Sequence, residues 1–479
     1  MSPRRGPTVR RLPALVAILA VVAGLVAASR AGHEFSPAVH AASAPVSGPA
    51  APPADAVSST WYCAEGTSNP GGRADETIIV ANLARRATTV TVTVLSGSGR
   101  TPASRQEHVA ALGQRRVVVS SIRAAAEPGV IVEALSGAVV VEHELSRGSD
   151  STVGPCARQA SQSWYFAAGD TNFGMEDWLA LFNPFPDDAI VDVTFLTTDG
   201  VQSPEASQAL VVPRHSRVSV PLHEIIRDQA PLGVLVHARL GRLVAEQSLY
   251  SDGSNGPAGL ATALGATSPA TSWRVPTGDA ENGATATLTV ANFTTINTHI
   301  TLGVTLDNNT SLPSQQVSVP SMTLSSVTLS QKVAPGTGYA VQVRAPRRSP
   351  VVVELVETWA APAAPVGLAT TLGTTGEAAR WAFATGRTDN SGDAQLAAVN
   401  VSGRPLTVEM LAYTPGDPNS PRSGPAQAVG AGKRAVFPLT TDGVDASQVI
   451  VLQADGPIVA GREVLGPSRS LSVGFPELP

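Results

Sequence analysis

A tryptophan followed five residues later by glycine opens each of four successive segments of this chain, and that recurrence limits its fold more than any other feature. The pairs are Trp61 and Gly66, Trp164 and Gly169, Trp273 and Gly278, Trp381 and Gly386. The anchors stand 103, 109 and 108 residues apart. A unit of that length can bury a core of its own, so the repeat implies four similar domains rather than a solenoid of short units. In a strand, Trp and the residue two places on share one face, and the Gly permits the turn that ends it.

Other positions recur in step. Asn82, Asn183, Asn292 and Asn400 each end a short apolar strand, and an alternating strand follows each after a turn. A late hairpin arm carries Glu142, Glu246 and Glu354 at 81, 82 and 81 residues after the opening Trp. In the fourth copy Gly461 takes this place, with Glu463 two residues on along the same face. About eight short strands per repeat, with turn signals between them and no long helical period, predict a β-sandwich. Leu222 to Gln229 is expected to form one helical turn in a loop.

The expected fold is therefore all-β: four tandem immunoglobulin-like β-sandwich domains after an N-terminal membrane segment and a disordered spacer. The boundaries fall at 1–30 for the signal or anchor, 31–57 for the Ala/Pro/Ser spacer, and 58–158, 159–267, 268–375 and 376–479 for the four sandwiches. Beads on a string is the expected arrangement. The alternative is a closed ring or propeller in which strands pair across repeat boundaries.

At the N-terminus Arg4, Arg5, Arg10 and Arg11 precede an uncharged run from Leu12 to Ser29. This reads as an uncleaved single-span anchor, with a cleaved export signal as the alternative, and either places the repeats outside the membrane. The Pro-rich 31–57 stretch has too little apolar surface to offset chain entropy. Beyond Arg30, 28 basic residues face 38 acidic ones, without a basic stripe. That balance argues against nucleic acid or an anionic membrane surface as the main partner.

The two cysteines, Cys63 and Cys156, sit at opposite ends of the first repeat, which in an exported chain predicts a structural disulfide. No catalytic residue, cofactor or metal site is expected. One Glu per domain does not bring partners into a single pocket, so Glu142, Glu246 and Glu354 are predicted to satisfy structural hydrogen bonds, accepting from their own repeat's Trp indole or neighbouring backbone. Glu65 reads as a solvated loop residue. His143 faces away from Glu142 and Glu144 in a strand, and His215, His223 and His237 lack ligand-like spacing. The loop Asp389 to Asp393 departs from the calcium-loop pattern.

The openings Trp61-Tyr62-Cys63-Ala64-Glu65-Gly66 and Trp164-Tyr165-Phe166-Ala167-Ala168-Gly169, with the strand ending at Asn183-Pro184, resemble a family of secreted and membrane-anchored actinobacterial repeat proteins of uncharacterised function. The resemblance spans residues 58 to 479 and weakens in the last two repeats. It implies envelope location and β architecture. The expected role is a non-enzymatic cell-envelope protein, its domains serving for structural spacing or for binding cell-wall glycan or an envelope protein. The alternatives are an accessory subunit of a wall-polymer enzyme and, behind it, an enzyme in its own right.

Overall fold

The computed structural model describes residues 47–53, 56–135, 138–307, 310–386, 393–415, 417–440, 443–465 and 469–478. The expected membrane segment, the spacer up to residue 46, and most of the Asp389 loop lie outside them. Among the described residues no helix is long and apolar enough to cross a membrane.

The first repeat sets the pattern. Its strands are β1 (Ser59–Cys63), β2 (Asp75–Asn82), β3 (Thr88–Leu95), β4 (Ala103–Val109), β5 (Gln114–Val118), β6 (Gly129–Ala134), β7 (Val139–Arg147) and β8 (Asp150–Pro155). They form two antiparallel sheets in the orders β1-β6-β3-β4 and β5-β2-β7-β8. The alternation of β3 makes the sandwich: Val90, Val92 and Val94 are buried while the threonines between them face the other way. They meet Ile78, Val80 and Val117 of the second sheet in one core. Relative to an immunoglobulin domain, the first and seventh strands stand at exchanged places. Here β1 flanks β6 and β7 flanks β2.

The second and third repeats keep the two sheet orders, and the fourth joins its strands through the long Val449–Leu465 strand. The helical turn is Leu222–Ile225. The opening Trp residues are buried as one-face anchors, with Trp61 and Cys63 both inward and Tyr62 outward.

The repeats are not beads. Val46–Pro479 is one compact unit. The closing strands β8, Gly259–Leu264, Gly367–Leu372 and Arg469–Val473 pack side by side in cyclic order around a common axis. Narrowness at that axis selects small residues. A Cβ on Gly154 would stand 3.1 Å from Thr262, one on Gly259 would stand 2.7 Å from the Leu368 backbone, and one on Gly367 would stand 2.6 Å from Arg469. The Val153 amide donates to Ser470 Oγ at 3.1 Å, which brings the fourth repeat to the first.

Among the described residues no strand ladder joins one repeat to the next; layers stack face to face instead. The first sheet of each of the first two repeats turns its outer face onto the next repeat, so Ala64, Leu95 and Ala157 belong to the core of the second repeat, and Ala167, Leu196 and Ala266 to that of the third. Ala382, Ala384, Val449 and Phe475 of the fourth enter the core of the first. At the joint between the third and fourth repeats the sharing runs the other way and is slighter: Leu471 of the fourth repeat's closing strand belongs to the core of the third. The end of the expected spacer is held across this assembly. The Ser47 amide donates to Thr375 Oγ1, and the Ala51 amide donates to the Pro476 carbonyl.

Candidate functional site

The recurring glutamates lie at the joints between repeats. Glu246 Oε2 accepts from the Ala64 and Glu65 amides at 2.7 Å each, and Glu354 Oε2 accepts from Ala167 at 2.9 Å and Ala168 at 3.1 Å. Each carboxylate thus caps the opening segment of the preceding repeat. The expected Trp partner is wrong: Trp164, Trp273 and Trp381 donate to the carbonyls of Leu243, Val351 and Ile458. Each of those carbonyls lies three residues before the Glu or Gly461 position, where strand pairing brings it over the indole. Glu142, at the seam between the fourth and first repeats, instead accepts from Arg462 Nη1 at 3.0 Å, both side chains fully buried.

The joint between the third and fourth repeats departs from this scheme on both sides at once. Pro276 stands where Ala64 and Ala167 offer an N–H, and Gly461 stands where the other repeats have Glu. A Cβ at 461 would lie 2.8 Å from the Pro276 ring. Glu463 accepts from Gln395 and does not reach Trp381's indole nitrogen. Burial first, then the neighbouring Asp279 carboxylate, raises the Glu463 pKa to about 7, and burial pushes Glu357 well up.

The four asparagines share one structural role. Asn82, Asn183, Asn292 and Asn400 each donate through Nδ2 to the carbonyls of Arg86, Asp187, Ile296 and Arg404, and accept from the amide two residues on. They hold the turn after the second strand as Asx turns. The opening-motif glycines serve close approach more than turning. Only Gly66 among them has positive φ, 125°. Cβ atoms on Gly66, Gly169, Gly278 and Gly386 would meet Glu76, Asp177, Tyr339 and Ile450 within 2.8 Å. Cys63 and Cys156 are disulfide-bonded across 93 residues of sequence.

Several buried ionisable residues were not legible as a group. His143 lies between Glu76 Oε1 at 3.3 Å and Glu246 Oε1 at 2.8 Å, all three buried. Burial pulls the imidazole pKa down, but the two carboxylates outweigh it and take it to about 10. Burial raises Glu76 to about 7. In the next repeat, Asp177 and Gln247 occupy the places of Glu76 and His143, and burial raises Asp177 to about 8. Glu65, expected in solvent, is buried, because the second repeat covers the opening segment of the first. His223 bonds at the Asp177 backbone, and His237 meets Ser163 at the surface. Among the described residues no group of three or more His, Cys, Asp or Glu is arranged to hold a metal ion.

Among the hollows formed by the described residues, one of about 310 Å³ lies between the second and third repeats. Its walls carry the hydroxyls of Ser251, Thr285, Thr287 and Thr358, the amides of Asn172 and Asn255, and the Asp170 carboxylate, over Met175, Leu249 and Leu368. Burial raises the Asp170 pKa, and the Asn172 amide that it accepts opposes this. Asp170 is the one carboxylate in the lining, which includes no Lys, Arg or His. Asp177 lies behind it, sealed from solvent. Such walls can hydrogen-bond a neutral polar ligand; they do not assemble the acid and base pair that hydrolysis requires.

No curated protein matches the chain. Among solved structures, the crystal structure of Thermotoga maritima 1070 aligns at 19% identity over 22% of this chain and 93% of that one, with a TM-score of 0.20. A tetra-tandem repeat from the extending region of a large adhesion protein aligns at 12% identity over 88% of this chain and all of that one, with a TM-score of 0.10. Residues 133–259 match the Family of unknown function (DUF5719), a likeness that runs from the end of the first repeat through most of the second.

Proposed function

We propose that this is a non-enzymatic cell-envelope protein, a closed ring of β-sandwiches held outside the membrane to bind cell-wall glycan or an envelope protein. The observation that carries this reading is the use made of the buried acids. Glu246 and Glu354 are spent on capping the neighbouring repeat, and Glu142 on pairing with Arg462. What remains for a partner is a rigid exterior of end loops, sheet edges and polar clefts, which suits recognition on a fixed scaffold. The basic and apolar N-terminal segment supports the envelope location.

The test is co-sedimentation of the full chain, purified in detergent, with cell wall isolated before and after removal of wall proteins. Retention on the protein-free wall is the expected result for glycan binding. Retention only on untreated wall assigns a wall-protein partner, and loss from both preparations overturns wall binding.

A further inference from the structure

The cleft between the second and third repeats is a position where the ring has left space that it fills elsewhere. At the preceding joint, the corresponding strand pair of the second repeat carries Glu176 opposite Tyr250, with Trp178 two residues along. Arg73 of the first repeat stacks on Trp178, its guanidinium carbon 4.0 Å from the ring centroid, and Tyr250 packs with Ala74 and Leu145 of that repeat. That joint is closed by two large aromatics. In the third repeat the same register pairs Thr285 with Thr358, and Thr287 replaces the Trp. Exchanging two aromatics for threonines opens the cavity and lines it with hydroxyls.

A hollow of this kind has a stability cost that a filled joint avoids. At about 310 Å³ the cleft stands at the small end of the roughly 300–1,000 Å³ range of small-molecule sites. The chemistry of the walls selects the occupant. Hydroxyl and amide groups both donate and accept, Asp170 accepts from paired hydroxyls, and the absence of any cation from the lining disfavours phosphate or carboxylate groups. Phe173 stands on the turn between the lining residues Asn172 and Met175 and is 74% exposed. An exposed ring beside a hydroxyl-rich cleft offers an apolar platform for the C–H face of a sugar.

We infer that this cleft is a binding site for a neutral saccharide of one or two rings, with Asp170 and the threonine hydroxyls taking its hydroxyl groups and Phe173 its apolar face. The assignment rests on reading the ring as a binding protein, and names the ligand class of one site on it.

Saturation-transfer NMR of the full chain against neutral mono- and disaccharides, N-acetylated and unsubstituted, with uronic acids and sugar phosphates beside them, tests it. At least one neutral sugar is expected to bind and to shift the Met175 methyl resonance. Thr287→Trp with Thr358→Tyr copies the filled joint and is expected to abolish binding while the unfolding midpoint holds or rises. Phe173→Ala and Asp170→Asn, which leave the core untouched, are each expected to weaken binding about five- to tenfold. Binding of anionic sugars alone, no binding by any neutral sugar, or binding unchanged in all three variants overturns the assignment. Wall retention that persists in the filled variant overturns the cleft and leaves the wall reading standing. Saccharide binding without wall retention does the reverse.

Discussion

Replacing Glu354 by Ala tests the principle on which the ring is built. Its Oε2 accepts from two buried amides of the preceding repeat, and its Oε1 accepts from Thr370 Oγ1 at 2.9 Å. Removing the carboxylate orphans the Ala167 and Ala168 N–H groups, at about 1–3 kcal/mol each. Against this stands relief of a buried charge, since burial holds the Glu354 pKa above its usual value. The net expectation is a loss of about 2–4 kcal/mol in urea unfolding. Glu354→Gln keeps an accepting oxygen and should lose about 1 kcal/mol, and Glu133→Ala, on an exposed sheet position, should stay within about 0.5 kcal/mol. Amide hydrogen exchange followed by mass spectrometry over the Trp164–Gly169 segment locates the effect. Faster exchange there in the Ala variant, 186 residues or more away in sequence from the mutation, is the specific signature. Unchanged exchange in that segment together with stability within about 0.5 kcal/mol of the parent would refute the capping argument.

Three further outcomes follow from the joints. Arg462→Met leaves Glu142 buried and uncompensated and should cost about 3–5 kcal/mol, whereas Arg462→Met with Glu142→Leu should recover most of it; a double-mutant cycle with no coupling removes the ion pair from the account. For Glu76, Asp177 and Glu463, with folded pKa values of about 7, 8 and 7, and His143, at about 10, each folded value exceeds the unfolded one. The stability they contribute is present in full below the unfolded pKa and is lost as pH rises through the folded one. The urea midpoint should therefore fall between pH 5 and pH 9, and a midpoint that climbs over that range contradicts the assignment. Reduction of the Cys63–Cys156 bond should lower stability by about 2–5 kcal/mol, read as a shift in the thermal midpoint with and without reductant; an unchanged midpoint denies the bond that role.

The strands, their number and their inward faces were legible because each is a local pattern. Val90, Val92 and Val94 alternate, the Asn residues end each second strand, and Trp61 and Cys63 share a face. What joined the repeats was not local. Glu246 reaches Ala64 across 182 residues, and nothing in the spacing around either residue points to the other. The repeating Glu was visible, with its own Trp indole or neighbouring backbone as the expected donor; in the structure backbone carbonyls take the indole, and the amides come from another repeat. Two signals of the ring were present. The closing strands are rich in Gly, Ala, Ser and Thr, as strands crowded at an axis must be, and Pro276 and Gly461 depart from the repeat pattern together. The cleft was likewise written as Thr287 and Thr358 against Trp178 and Tyr250, but only the strand register shows that these positions correspond.

The joint exception at Pro276 and Gly461 bears on how four look-alike units find the right neighbours while the chain folds. Tandem domains of similar sequence are prone to docking out of order and to exchanging elements between molecules. A fourth repeat set against the first repeat's opening would bring Gly461 to the Ala64 and Glu65 amides and leave both without an acceptor. A second repeat set against the third's opening would point the Glu246 carboxylate at Pro276, which has no N–H to give. Each mismatch strands a buried polar group at about 1–3 kcal/mol, so the pair acts as an address that keeps the fourth repeat behind the third and penalises the orders that part them.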